Sequence, residues 1–332
     1  MIERFAKQTI IRLSQQFSVV AVTGPRQSGK STLVQETFPD KRYVTFDDKS
    51  VRELAASNPR DFIKAFKDGV IIDEAQKVPE IFDALKLVVD SEDYNPGKYI
   101  LTGSSQFKLK KKIKESLSGR IGIVNLLPLS IAELSESGIL GDDAYDYAFN
   151  GFYTPFYDEK KHFDREDWFE NYIDTYIERD VADEIRVSNL SQFKKFIQFC
   201  AIYSGQMLNM ESISREIGVS ANTIKSWLSI LENSFIVHLL EPDTNNLGRS
   251  IVKTPKLYFV DVGLLCYLLR IESKEELLLS RYKGAVVETM AVAELLKSRF
   301  NKGRKAELTY FRDTNGFEVD VIADWHKTYA LE

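Results

Sequence analysis

The chain has 332 residues, 44% of them hydrophobic and 28% charged, with a formal net charge of −5. This length is too great for one typical core and predicts two or three domains. The acidic balance excludes a global pull toward nucleic acid or anionic membrane, so any such contact must come from a local patch. Cys200 and Cys266 are the only cysteines. Their wide separation argues against a disulfide framework and fits a reducing, cytoplasmic setting. His162, His238 and His326 are scattered, without the spacing of a zinc site. No secretory signal precedes the first strand. The longest apolar stretch, residues 257–271, is too short for a membrane span and is interrupted by Asp261.

Residues 1–135 alternate apolar runs with helical patterns. Strands are predicted at 18–23, 42–46, 70–72, 98–102 and 121–127, with helices between them, notably at 30–37 and 80–91. Strands alternating with helices predict an α/β domain built on a parallel sheet covered on both faces. Residues 136–190 hold fifteen Asp or Glu against five Lys or Arg, with many aromatics. They predict a helical lid or linker whose aromatic stripes pack while its acids face water. Residues 191–260 predict a winged helix. Helices at 193–203 and 210–217 precede a tight turn at Gly218-Val219-Ser220, where Ser220 N-caps a helix over 221–233. Strands at 236–241 and 256–260 flank a polar loop, 242–255, as the wing. Residues 261–332 begin with helices and end in strands at 308–312 and 318–323.

Gly24-Pro25-Arg26-Gln27-Ser28-Gly29-Lys30-Ser31 fits G-x-x-x-x-G-K-[ST], with an apolar strand before it and a helix, Ser31 and Thr32 included, after it. Glycines let backbone N–H groups converge on phosphates, and the helix N-terminus adds positive potential. The pattern predicts ATP as ligand, Lys30 at the β/γ-phosphates and Ser31 on Mg²⁺. Residues 69–74 (GVIIDE) fit a Walker B strand, with Asp73 beside the Mg²⁺ shell and Glu74 polarising the attacking water. The strand ending at Ser104 and Ser105 offers a polar residue to sense the γ-phosphate. Arg120, in Ser118-Gly119-Arg120 after a lysine-rich helix at 108–114, is a candidate γ-phosphate arginine in its own subunit or a neighbour's.

These motifs in this order resemble the bacterial and archaeal AAA+-type ATPases that carry a C-terminal DUF4143 domain. The carriers are VTGPRQSGKSTL (22–33), TFDD (45–48), IIDEAQKVP (71–79), LTGSSQ (101–106), SLSGR (116–120), YIERDV (176–181) and YFVDVGLL (258–265). The resemblance implies an AAA+-like core, a winged helix and, over 261–332, a region related to the PD-(D/E)XK nuclease fold. It also directs attention to Glu288, Asp320 and Glu332 as a second, nuclease-like Mg²⁺ set. The lysine that pattern places two residues after Glu332 lies beyond the last residue, so the domain is expected to be incomplete and this chain is expected not to cleave DNA.

The leading expectation is a Mg²⁺-dependent ATP hydrolase whose nucleotide state moves the winged helix and C-terminal region. Two alternatives stand beside it: an ATP-gated DNA binder or nuclease, and a nucleotide switch that engages a protein partner. Residues 191–255 carry six basic against five acidic side chains, a poor balance for neutralising many phosphates. A homo-oligomer is compatible with the trans role of Arg120.

Overall fold

The computed structural model describes residues 2–91, 94–104, 112–113, 115–139, 141, 143–158, 160, 162–176, 190–243, 254–314 and 316–332. Most of the lysine-rich helix expected at 108–114, Ser105, the centre of the expected wing and most of the YIERDV motif lie outside the described residues. The chain divides into two compact units, Met1–Gly138 with Lys297–Arg304, and Ile139–Leu296 with Lys305–Glu332.

In the first unit, α1 (Ala6–Ser14) leads into β1 (Val19–Thr23), α2 (Lys30–Thr37) and β2 (Arg42–Thr45). Then come α3 (Lys49–Ser57), α4 (Pro59–Lys64), β3 (Val70–Asp73), α5 (Glu80–Ser91), β4 (Tyr99–Gly103), β5 (Ile121–Asn125) and α6 (Ile131–Glu136). The strands form a parallel sheet in the order β2-β3-β4-β1-β5. Side chains alternate across a strand, and here both faces are covered. Val19 and Ala21 enter a core with Phe46, Ile63, Ile72, Phe82 and Leu101, packed by α3–α5. Val20 and Val22 enter the opposite core with Ile10, Leu33, Val34 and Ile71, packed by α1 and α2. This two-sided burial explains why the strands read as unbroken apolar runs.

In the second unit, α7 (Ala144–Asn150) and α8 (Arg165–Tyr176) occupy the acidic segment. Trp168, Phe169, Tyr172, Ile173 and Tyr176 of α8 are buried. Tyr153, Phe156, Trp168, Phe169 and Tyr172 form a ring cluster with centroids 4.7–6.3 Å apart. The aromatic stripe thus packs as its spacing predicts. Next come α9 (Leu190–Ile202), β6 (Gln206–Met207), α10 (Met210–Ile217) and α11 (Ala221–Asn233), then β7 (Val237–Pro242) and β8 (Lys256–Phe259). Gly218 takes the left-handed conformation (φ 79°) that ends α10, and the Ser220 hydroxyl accepts from the Thr223 amide to cap α11.

The remaining elements are α12 (Val262–Leu268), α13 (Lys274–Leu279), α14 (Lys283–Asn301), β9 (Leu308–Arg312), β10 (Glu318–Asp324) and β11 (Thr328–Leu331). Asp261, which interrupts the apolar stretch 257–271, caps α12 by accepting from the Leu264 amide, and it also accepts from the Phe152 amide. The strands make one sheet, β11-β10-β9-β7-β8-β6, in which β7 pairs with β8 antiparallel and with β9 parallel. Hydrogen bonds therefore cross position 260/261, where the sequence pattern was divided. Cys200 and Cys266 are buried free thiols, and burial pushes Cys266 up to about 12. No helix among the described residues is long and apolar enough to cross a membrane.

His238 on β7 has its Nε2 sealed from solvent without a hydrogen-bond partner among the described residues, and burial lowers its pKa to about 4. A histidine held neutral in the fold while the unfolded chain takes a proton near pH 6.5 makes stability fall as pH drops below that value. Between pH 7 and 4.5 the wild type should lose about 2–3 kcal/mol more than His238→Phe. Urea unfolding at the two pH values measures this; equal losses in the two proteins would assign the acid sensitivity elsewhere.

Candidate functional site

Parallel strands deliver their C-terminal ends to one edge of a sheet, where the loops that follow can converge. Thr23, Asp73 and Gly103 end β1, β3 and β4 on that edge. β4 lies between β1 and β3, so the loop after β1 faces the acidic end of β3 across the end of β4.

The glycine loop, residues 24–29, connects β1 to α2. A Cβ on Gly24 would lie 2.0 Å from the Leu126 carbonyl oxygen, so no other residue fits without moving the backbone. Gly29 stands at the N-cap of α2 with φ 85°, a conformation glycine adopts without cost. Ser28 Oγ donates to the Pro25 carbonyl at 3.0 Å. The Lys30 ammonium donates to the Gly24 and Pro25 carbonyls at 3.1 and 2.6 Å and is buried against the loop. Pro25, Arg26, Gln27 and Thr32 fall on this loop and the first turn of α2, as the motif requires.

Across from it, Ser31 Oγ donates to Asp73 Oδ1 at 3.0 Å, and Thr102 Oγ1 donates to the same oxygen. Tyr43 of β2 donates to Asp73 Oδ2 at 2.7 Å. Burial, then the bond to Asp73, pushes the Tyr43 phenol well above its ordinary pKa. Glu74 follows in a left-handed conformation (φ 53°) that is uncommon for a non-glycine residue. Its Oε2 accepts from Ser104 Oγ at 3.3 Å and from the Gln76 amide. The structure thus brings Lys30, Ser31, Asp73, Glu74 and Ser104 to one sheet edge. Thr102 and Tyr43 were missed. Thr102 offered a signal, a polar residue in a buried strand beside Ser104; Tyr43 read only as a strand residue.

A hydroxyl and a carboxylate 3.0 Å apart are hard oxygen donors of the kind Mg²⁺ takes. The glycine cradle, the buried ammonium and the helix N-terminus suit a polyphosphate. The residues therefore fit both ATP and Mg²⁺.

For Arg120, the alternative of a phosphate in its own subunit is corrected. It immediately precedes β5, at the N-terminal edge of the sheet, and its carbonyl accepts from the Val19 amide. Strand length separates it from the glycine loop by roughly 15 Å. Its guanidinium pairs with Asp90 at 2.5 and 2.9 Å. It cannot meet a phosphate held in its own subunit. Arg120→Ala should leave turnover of dilute protein within about twofold of wild type, because its side chain is far from the reacting atoms. A tenfold loss in a steady-state assay, growing with protein concentration, would instead place it on a neighbour's nucleotide.

The second set expected from the sequence is partly assembled, around a cation that was not foreseen. Lys256 of β8 donates to Asp320 at 2.8 Å, pairs with Glu318 at 2.7 Å and lies 3.9 Å from Glu288. Tyr258 donates to Glu288 at 2.6 Å. Burial pulls Lys256 down, but its bonds to Asp320 and Glu318 hold it above its usual value. Burial raises Glu288 against the opposing pull of Tyr258 and Lys256. The β10–β11 register pairs Val321 with Leu331, the residues next to Asp320 and Glu332. Among the described residues no group of three or more His, Cys, Asp or Glu is arranged to hold a metal ion. The cation beside these carboxylates is Lys256 of β8, not Lys327, the lysine nearest Glu332 in sequence. Its signal was one lysine at the head of an otherwise apolar strand.

Residues 16–135 match the family model of the AAA domain, 141–275 that of a domain of unknown function, DUF8612, and 283–332 that of DUF4143. An uncharacterized protein of Mycobacterium tuberculosis is 29% identical over 97% of this chain and 71% of its own length. Another, of Methanocaldococcus jannaschii, is 22% identical over 92% of this chain and 71% of its own. The Walker-type ATPase of Pyrococcus abyssi superposes with a TM-score of 0.52 at 14% identity, covering 81% of this chain and 96% of that one, a likeness of fold. With its glycine loop and acidic strand end on one sheet edge, the chain carries an AAA domain over residues 16–135 and a DUF4143 domain over 283–332.

Proposed function

We propose that the chain hydrolyses ATP with Mg²⁺ at the edge formed by the glycine loop, Asp73 and Glu74. One observation carries this reading. Asp73 is held by Ser31 and Thr102, while the neighbouring Glu74 is turned aside by its left-handed backbone to meet Ser104. Two adjacent carboxylates with separate partners suit separate tasks, one on a metal and one on water. When bound, Mg²⁺ would neutralise phosphate charge, with Ser31 and Asp73 as its protein-side holders. Lys30 shifts from the loop carbonyls to phosphate oxygens. Glu74 accepts a hydrogen bond from the attacking water and orients it, and Ser104 fixes that carboxylate.

The output is read into the second unit. The order helix, strand, helix, helix, strand, strand over α9–β8 supports a winged-helix assignment, with β6 and β7 flanking β8. The ATPase reading is tested by phosphate release from purified protein with Mg²⁺, with and without duplex DNA. Mg²⁺-dependent turnover supports it, and stimulation by DNA assigns the α9–β8 segment to DNA. Tight nucleotide binding without turnover would make the protein a switch.

A further inference from the structure

The glycine loop has an anchor that its motif does not contain. Arg4, only 7% exposed, sends Nη1 to the Ser28 carbonyl at 2.7 Å and Nη2 to the Leu127 carbonyl at 2.7 Å. Its Nε pairs with Glu133 Oε1 at 3.1 Å. Glu133 is fully buried and is itself held on several sides. Its Oε1 also accepts from the Phe5 amide at 2.8 Å and from Asn301 Nδ2 at 3.5 Å, while Oε2 accepts from the Ser130 amide at 2.9 Å. Thr9 Oγ1 donates to the Asn301 carbonyl at 2.8 Å. This buried ion pair meets the loop at the Ser28 carbonyl, while Asp73 and Glu74 are held by other partners.

We propose that Arg4 is a positioning residue for the nucleotide loop, acting through the Ser28–Gly29 peptide. A trans peptide is planar, so its C=O and the following N–H point in opposite directions. Holding the Ser28 carbonyl on the Arg4 side therefore aims the Gly29 N–H away from Arg4. Gly29 is the N-cap of α2, where the chain's free amides gather. The same guanidinium grips Leu127, next to the Leu126 carbonyl that crowds Gly24. Arg4 thus locks the loop after β1 to the loop after β5. A lysine could reach one of these acceptors but lacks the flat fork that spans three. The loop is preorganised before ligand arrives, and preorganisation is worth affinity.

This inference rests on the proposed nucleotide site, and its test separates the two. Arg4→Met combined with Glu133→Gln removes both buried charges together and keeps a serine–glutamine capping pair at α6. Arg4→Lys is the conservative partner, kept as the test should the double variant not fold. Three readouts are taken: hydrogen exchange of the amides in residues 24–29, Kd for a fluorescent ATP analogue, and kcat at saturation. The double variant should exchange these amides at least about tenfold faster and bind about tenfold more weakly, with kcat changed less than about threefold. Arg4→Lys should move exchange and Kd the same way by about threefold or more. A folded variant with wild-type exchange and wild-type Kd overturns the role of Arg4. Should the wild type bind nucleotide without turnover, hydrolysis fails while exchange and Kd still decide on Arg4. Should it bind none, exchange alone decides.

Discussion

Glu74→Gln is expected to bind ATP within about threefold of wild type and to lose about 10³-fold in turnover. Lys30→Ala, by contrast, is expected to lose binding itself. Position divides the labour. Lys30 is buried in the loop and within reach of two loop carbonyls, the place from which an ammonium serves phosphate charge. Among the described residues, the Glu74 carboxylate accepts from Ser104 and Gln76 and not from that loop. Glutamine keeps the shape and can still meet Ser104, but it no longer presents a carboxylate to water. Binding titration of a fluorescent ATP analogue and phosphate release measured on both variants check the pair. Normal turnover in Glu74→Gln sinks the assignment of Glu74, and Ser104 would then have to be tested in its place.

The nucleotide unit was legible because each of its signals is local. A glycine loop between an apolar strand and a helix, and an apolar strand ending in Asp-Glu, carry their chemistry within eight residues. The two helices named at 30–37 and 80–91 fall on those residues, and the strand ends move by one or two positions where apolar residues continue into turns. Arg120 misled because its neighbours in sequence say nothing about which end of the sheet they occupy. Its partner, Asp90, lies thirty residues away on the end of α5. Arg4, Tyr43 and Lys256 were illegible for the same reason. Each acts through partners that only the fold brings close: Glu133 for Arg4, Asp73 for Tyr43, and Asp320 for Lys256. The strands β7 and β8 show the converse case. Both strands were readable as apolar runs, but the parallel pairing of β7 with β9, which makes one sheet of two expected domains, joins segments nearly seventy residues apart.

Lys256→Met is expected to destabilise the second unit by about 3 kcal/mol. The Lys256 side chain is 4% exposed, and its ammonium stands among Glu318, Asp320 and Glu288, whose side chains are 29–40% exposed. Methionine matches the length of the side chain, so little is lost in packing. What remains is a set of carboxylates without their central cation, with Arg312 on Glu318 at 3.2 Å and the Tyr258 hydroxyl on Glu288 at 2.6 Å. Partial exposure lets water relieve some of the repulsion, which keeps the cost near the lower end for a broken buried pair. Acid should rescue the variant. Glu288 is already raised by burial, and losing Lys256 raises it further. An acid raised in the fold stabilises below its unfolded value near 4.5, and that contribution is lost as pH climbs through the folded value. The gap between wild type and Lys256→Met should therefore narrow from pH 7 toward pH 5. Urea midpoints at both values measure it. A gap that stays constant would mean that the lysine acts by packing its stem against Tyr310, whose ring centre lies 5.4 Å from the ammonium, rather than by its charge.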